Sequence, residues 1–210
     1  TLVVWNSALL KSAKLIFPML IFSVFFAEPI MTCMYGDIYA QSSIYFVIKN
    51  LSGLFYIIPF YPIILAIGKT NSYANAHMIA AFMIVIAEYV VCKTFDSAVY
   101  VAITSELCNL VKIWLLLRVI ANYAHMKITE LLPPKPMTIL IMISALASLP
   151  PFLLLDFLNM NKFIVLFVCL GFFLVDYYVL CWICKVTYRD IAGGFLKNKS
   201  RLNAVVKILP

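Results

Sequence analysis

The chain has 210 residues, of which 65% are hydrophobic and 12% charged, and its net charge is +7. Its mean hydropathy is +1.02. Soluble domains carry about 25% charged and about 45–50% apolar residues, so a water-soluble body could not be covered with this composition. An integral membrane protein is expected, with no nucleic-acid partner.

The sequence has no initiator Met and no cleavable leader pattern, and it is already apolar at "TLVVW". It therefore reads as a piece of a longer polypeptide. A bilayer core about 30 Å thick needs roughly 20 apolar residues as helix. Runs of that kind occupy residues 13–35, 42–67, 73–92, 97–123, 137–158 and 163–185. None shows the sustained alternation of a membrane barrel. The fold class predicted is all-α: a polytopic transmembrane bundle of six spans over 1–185, followed by a basic tail over 186–210.

The first run ends in "FAEPIMTCMYGDIYAQS". Pro29 predicts a kink, and "YGDIY" predicts a turn at Gly36. In the second run, Pro59 and Pro62 are expected to interrupt the hydrogen-bond ladder. The run closes at "IGKTNSY", where Gly68 fits the position just beyond a helix end. Between the fourth and fifth runs, "LLPPKP" stops one helix before the next begins. "LDFLNMNK" is the break before the sixth.

Positive residues sort by side. Lys11, Lys14, Lys69, Arg118, Lys127, Lys135, Lys185, Arg189, Lys197, Lys199, Arg201 and Lys207 fall on one side, against Lys93 and Lys162 on the other. The positive-inside rule then places both ends in the cytoplasm and "YGDIY" outside. The tail after Gly193-Gly194 reads either as an amphipathic segment on the anionic inner leaflet or as a solvated terminus.

Ionisable residues inside the runs are Glu28, Lys49, Glu88, Glu106, Lys112 and Asp176. Each costs about 2.5–3.5 kcal/mol at a helix centre, so each must meet a partner, water or the interface. At about 1.5 Å per residue, Glu28 and Lys49 lie at similar depth on adjacent runs, which predicts a Glu28–Lys49 pair. Glu88 lies within reach of the outer headgroups. In "ITSELCNLVKIW", Ser105, Asn109 and Lys112 share a face at i, i+4, i+7 with Glu106 beside them, making a polar stripe. Lys112 either clamps Asp176, snorkels toward the interface, or lines a path for an anionic substrate.

The six cysteines, Cys33, Cys92, Cys108, Cys169, Cys181 and Cys184, lie in or at the ends of apolar runs. "CWIC" has redox spacing without the strand-to-helix setting of a redox site. The cysteines are expected as small packing residues. No Cys/His spacing suggests a metal, and no cofactor is expected.

"FPMLIFSVFFAEPIMTCMYGDIYAQSSIYFVI", with Gly36 and Tyr39 in its turn, resembles a helix–turn–helix of the Wzx-type polysaccharide flippases. These belong to the multidrug/oligosaccharidyl-lipid/polysaccharide exporter superfamily. "PIILAIGKTNSY" resembles the same family's cytoplasmic glycine–lysine–threonine turn at Gly68, Lys69 and Thr70. The resemblance covers about residues 15–118. Beyond the third run the chain departs from it, with "FDSAVYVAITS" where the family is glycine- and alanine-rich.

The resemblance implies the C-terminal part of a MATE-like transporter whose N-terminal helices lie elsewhere in the same polypeptide. The implied activity is flipping an undecaprenyl-diphosphate-linked oligosaccharide across a bacterial cytoplasmic membrane. Membrane lipids and other polysaccharide-assembly proteins are the implied partners. Lys49 and Lys112 are then candidates for a cationic path, and Glu106 and Asp176 for ion coupling. A drug or cation exporter of the same superfamily is the alternative. An enzyme acting on the same lipid carrier is disfavoured by short outer breaks without arginine and by isolated His77 and His125.

Overall fold

The structure is a computed structural model that describes residues 2–58, 60–132, 134–155, 161–186 and 188. Those residues form helices and turns, with no strand among them. Helix α1 (Leu2–Phe25) continues into α2 (Ala27–Tyr35) through a kink at Phe26. Phe26 still donates to the Phe22 carbonyl and Ile30 to the Phe26 carbonyl, each at 2.9 Å. Pro29, which has no N–H, leaves the Phe25 carbonyl without its usual donor and crowds it. The expected kink is present for that reason. Gly36 then ends α2 at φ 93°, a backbone region that L side chains rarely adopt. A short 3-10 turn (Asp37–Ser42) leads into α3 (Ser43–Gly53).

The second run is a broken segment, as an interrupted hydrogen-bond ladder predicts, but the break begins ahead of the prolines, beyond Gly53. After α3, Leu54, Phe55 and Tyr56 make i→i−3 bonds of 3.0–3.3 Å, a tightening typical of a helix end. The chain resumes as α4 (Phe60–Ala66). Pro59 lies outside the described residues. Pro62 is the third residue of α4, in the first turn, where the missing N–H has no acceptor to lose. It therefore does not interrupt a ladder as predicted.

The remaining runs are α5 (Thr70–Thr94), α6 (Ala98–Ala124), the single turn α7 (Ile128–Leu131), α8 (Pro134–Leu154) and α9 (Lys162–Ile183). Among the described residues, five helices are long and apolar enough to cross a membrane: Ser7–Phe25, Thr70–Thr94, Ala98–Ala124, Pro134–Leu154 and Lys162–Ile183. The first run begins earlier than expected, since helix extends back to Leu2. Residues 156–158, assigned to the fifth run, lie outside the described set.

Three helix ends use one device. Lys69 donates to the Ile64 carbonyl and Gly68 to that of Leu65, both at 3.0 Å, which is the paired closure of a Schellman motif. The same pattern recurs with Met126 to Ala121 and Val186 to Cys181, at 3.0 and 2.9 Å. There the left-handed residues are His125 (φ 53°) and Lys185 (φ 55°).

Laterally, α6 packs between α3 and α5, α1 joins α3 to α8, and α9 lies on α8 and α2. Phe22, Phe26, Ile143, Ala147, Cys169 and Phe173 fill the α1–α8–α9 junction. Ile64, Ala76, Leu116, Ile120 and Leu131 fill the α4–α5–α6 junction. Phe82, Val85 and Ile86 on α5 and Phe167 and Trp182 on α9 stay more than half exposed, apolar surface that only lipid or further protein can cover. This is a multi-pass membrane protein. Trp5 donates its indole N–H to the Leu131 carbonyl at 2.7 Å, tying the start of α1 to α7 at one end. Asp37 and Lys162 form an ion pair at the other end.

Candidate functional site

Two of the six ionisable residues, Lys49 and Glu106, meet where broken α3 lies on α6. Lys49 Nζ stands 2.7 Å from Glu106 Oε1. Asn109 Nδ2 donates to the Tyr56 hydroxyl at 2.8 Å and to Glu106 Oε2 at 3.3 Å. The Ser52 hydroxyl donates to the Lys49 carbonyl at 2.9 Å. Ser52 and Asn109 are buried. The Glu106 side chain is 14% exposed, whereas that of Lys49 is 63% exposed. The pair thus presents its carboxylate to protein and its ammonium to the surroundings.

The predicted Glu28–Lys49 pair is not formed. Depth arithmetic puts both groups at one height, but Lys49, Ser52 and Tyr56, at i, i+3 and i+7, turn toward α6. Glu28 lies past the Pro29 kink and lines a different cleft. Ser52 and Tyr56 were missed by the sequence reading, although the spacing rule applied to α6 would have found them from Lys49. Ser105 is partly buried beside Glu106 and stands outside the network.

The Lys112–Asp176 clamp is also absent, because the two helices have different neighbours. Helix α6 carries Lys112 and packs on α3, α4 and α5, whereas α9 carries Asp176 and packs on α8 and α2. Lys112 instead lies within electrostatic reach of His77 on α5. His77 meets Tyr73 at a tilt with ring centroids 4.4 Å apart, and Tyr73 meets Tyr61 edge-on at 5.5 Å. Asp176 makes no ion pair with a described residue. Glu88 is partly buried on α5.

The turn residues sit as their chemistry requires. Gly68 has φ 71°, and Lys69 occupies the cap position before α5. Tyr39 is half-exposed with its ring 5.7 Å from that of Tyr35. The cysteines follow the packing expectation in part. All six are free; Cys108, Cys169 and Cys181 are buried and Cys33 partly so, but Cys92 and Cys184 are exposed. Cys92 lies in the last turn of α5 and Cys184 caps the end of α9. Among the described residues no cluster of three or more His, Cys, Asp or Glu is arranged for a metal.

A cleft of about 790 Å³ opens between α2, the 3-10 turn, α8 and α9. Its wall includes Phe25, Glu28, Thr32, Phe152 and the Asp37–Lys162 pair. Of the tail, residues 187 and 189–210 lie outside the described residues, and with them both readings of its amphipathic character. Tyr188 folds back against α1, donating to the Lys14 carbonyl at 3.2 Å and sharing a hydrogen bond with the Tyr177 hydroxyl. Burial, and then the Tyr177 hydroxyl, push the Tyr188 phenol well above its ordinary value.

Comparison with protein-family models, curated proteins and solved structures gives no match for this chain.

Proposed function

We propose that the chain is the C-terminal part of a flippase moving undecaprenyl-diphosphate-linked oligosaccharide across a bacterial cytoplasmic membrane. Both ends of the segment then face the cytoplasm, and further helices of the same polypeptide complete the cavity. It is a transporter in this reading and not an enzyme.

One observation carries the proposal: a membrane segment broken between α3 and α4, braced at the break by an ion pair with an amide and a phenol. Transporters place discontinuous helices and charged groups together near the bilayer midplane, where irregular backbone is tolerated only beside protein or water. An ammonium that is 63% exposed is too costly to leave in hydrocarbon, which favours a wet or protein-covered face there. Lys49, with Lys112 further along α6, supplies positive charge for a diphosphate. Asn109 and Tyr56 hold the bend in place.

Glu106 is the group through which a coupling proton or sodium ion acts. Protonation removes its charge and frees α3 from α6, while Lys49 keeps its ammonium for the anionic cargo. Surface polysaccharide in a flippase-deficient host expressing the parent protein is the test. Export is expected to be restored by the parent, lost in Lys112→Ala and Lys49→Ala, and altered in its pH dependence in Glu106→Gln. Unchanged export in both lysine variants would remove the cationic path. Unchanged pH and sodium dependence in Glu106→Gln would remove the coupling role.

A further inference from the structure

Helix α6 carries a second stripe, on the face opposite Ser105, Asn109 and Lys112. Leu107, Val111 and Trp114 recur at i, i+4 and i+7 and are exposed. Arg118 and Asn122 continue that face and His125 caps its end, all three exposed. The stripe is thus apolar along the helix and cationic at its end. From Leu107 to Arg118 it runs about 16 Å at the helical rise, close to one leaflet of a hydrocarbon core about 30 Å thick. Where its character changes, the Arg118 guanidinium lies over the Trp114 ring, 5.3 Å from the centroid.

At the cationic end, the turn before α5 meets the last turn of α6 around a cleft of about 460 Å³. Lys69, Ser72, Asn122, Tyr123 and His125 line it with Val119. Two helix closures bring these groups together: Lys69 follows the left-handed Gly68, and His125 is itself left-handed at φ 53°. Each of the five polar side chains can donate a hydrogen bond. None of them has a hydrogen-bond or ion-pair partner among the described residues. The described lining holds no carboxylate. Glu130 stands in the adjoining cleft and accepts from the Lys127 backbone N–H at 3.3 Å. With Arg118 one turn deeper, Lys69 gives this end an excess of positive charge and of donors.

That arrangement selects a phosphate diester carrying apolar chains. The phosphate oxygens take the donors, and their charge meets Lys69 and Arg118. The apolar stretch from Leu107 to Trp114 begins where the headgroup ends, so an acyl chain of the same molecule covers it; a free anion leaves it bare. A zwitterionic lipid brings its own ammonium to the basic residues and is disfavoured. We propose that this face of α6, with the turn before α5, binds one anionic phospholipid. Its phosphate sits among Lys69, Arg118, Asn122 and His125, with an acyl chain along Leu107, Val111 and Trp114. The site goes beyond the flippase reading: it holds a lipid of the surrounding membrane on the face away from the Lys49–Glu106 network, and its occupancy is read without transport.

The test is native mass spectrometry of the purified protein in detergent, titrated with phosphatidylglycerol or with phosphatidylcholine of the same chains. A basic side chain close to an anionic lipid is worth about fivefold in affinity, so the first phosphatidylglycerol should bind about tenfold or more tighter than phosphatidylcholine. Lys69→Gln and Arg118→Gln should each reduce that preference about fivefold. Lys135→Gln makes the same change of net charge at the start of α8, which packs on α1 and α9, and should leave the preference unchanged. Inorganic phosphate at the lipid's concentration should not compete.

A second measurement needs no change to the cationic groups. In phosphatidylcholine vesicles, phosphatidylglycerol with brominated chains should quench the tryptophan emission more than the same share of brominated phosphatidylcholine. Trp114→Phe should abolish the difference, because Trp5 and Trp182 lie on α1 and α9. Equal affinity for the two lipids, competition by inorganic phosphate, an equal loss in Lys135→Gln and Lys69→Gln, or equal quenching by the two brominated lipids would each overturn the site.

Discussion

The Lys49–Glu106 pair is open to a double-mutant cycle. Lys49→Met removes the ammonium and leaves Glu106, 14% exposed, with Asn109 at 3.3 Å as its remaining amide donor. Removing one partner of a fully buried pair costs about 3–5 kcal/mol. Here the lysine is 63% exposed and much of its charge is already screened, so a loss of about 1–3 kcal/mol is expected. Glu106→Gln keeps one acceptor oxygen for Lys49 but puts an amide N–H opposite Asn109 Nδ2, losing that contact, so it should cost less, about 0.5–1.5 kcal/mol on the scale of a single hydrogen bond.

The double variant has no uncompensated carboxylate. Its loss should fall short of the sum of the singles by about 1–2 kcal/mol, as expected for groups in direct contact. Reversible unfolding by dodecyl sulfate titration in mixed micelles, followed by tryptophan fluorescence, measures all four corners. If the single losses add to within about 0.3–0.5 kcal/mol, the level expected of independent sites, the two groups are uncoupled. The bracing of the broken segment by this pair would then be wrong.

Gly68→Ala places a Cβ at φ 71° and should destabilise by about 1–2 kcal/mol, the cost of a left-handed L-residue; the same titration reads it. His125→Gly removes that cost at the end of α6 and should stabilise by up to about 1 kcal/mol in a thermal melt. A maleimide should label Cys92 and Cys184 in the folded protein and spare the buried Cys108, Cys169 and Cys181 until denaturation, as mass spectrometry would show. The Tyr188 phenol is raised in the folded state, so its stabilisation is present below the unfolded value of about 10 and is lost as pH rises above it. Tyr188→Phe should flatten the alkaline fall in stability, and an unchanged pH profile would contradict its burial.

The sequence alone determined the solvent and the rhythm of this protein. Apolar runs of membrane length leave helices as the reading, because lipid offers no hydrogen bonds to open backbone. Pro29 and Gly36 marked a kink and a turn, and Gly68 marked a helix end, because their backbone limits are local and hold in any packing. The spacing of Ser105, Asn109 and Lys112 disclosed a polar stripe on α6 before any neighbour was known.

Only the tertiary structure decided what meets what. Rise per residue measures depth along a helix but carries no information about which helix lies beside it. Glu28 and Glu106 were therefore both reachable in principle by Lys49, and the packing of α3 on α6 chose Glu106. The same lateral order separates Lys112 from Asp176 and brings it toward His77. It also places Glu28, alone among its described neighbours, in a cleft built from four stretches of chain that no local pattern joins. The break between α3 and α4 belongs to this class as well. Two prolines drew the expectation to Pro59 and Pro62, but the ladder ends beyond Gly53, and Pro62 enters α4 where a proline costs nothing. Side-chain contacts between distant segments set these choices, and a one-dimensional pattern does not contain them.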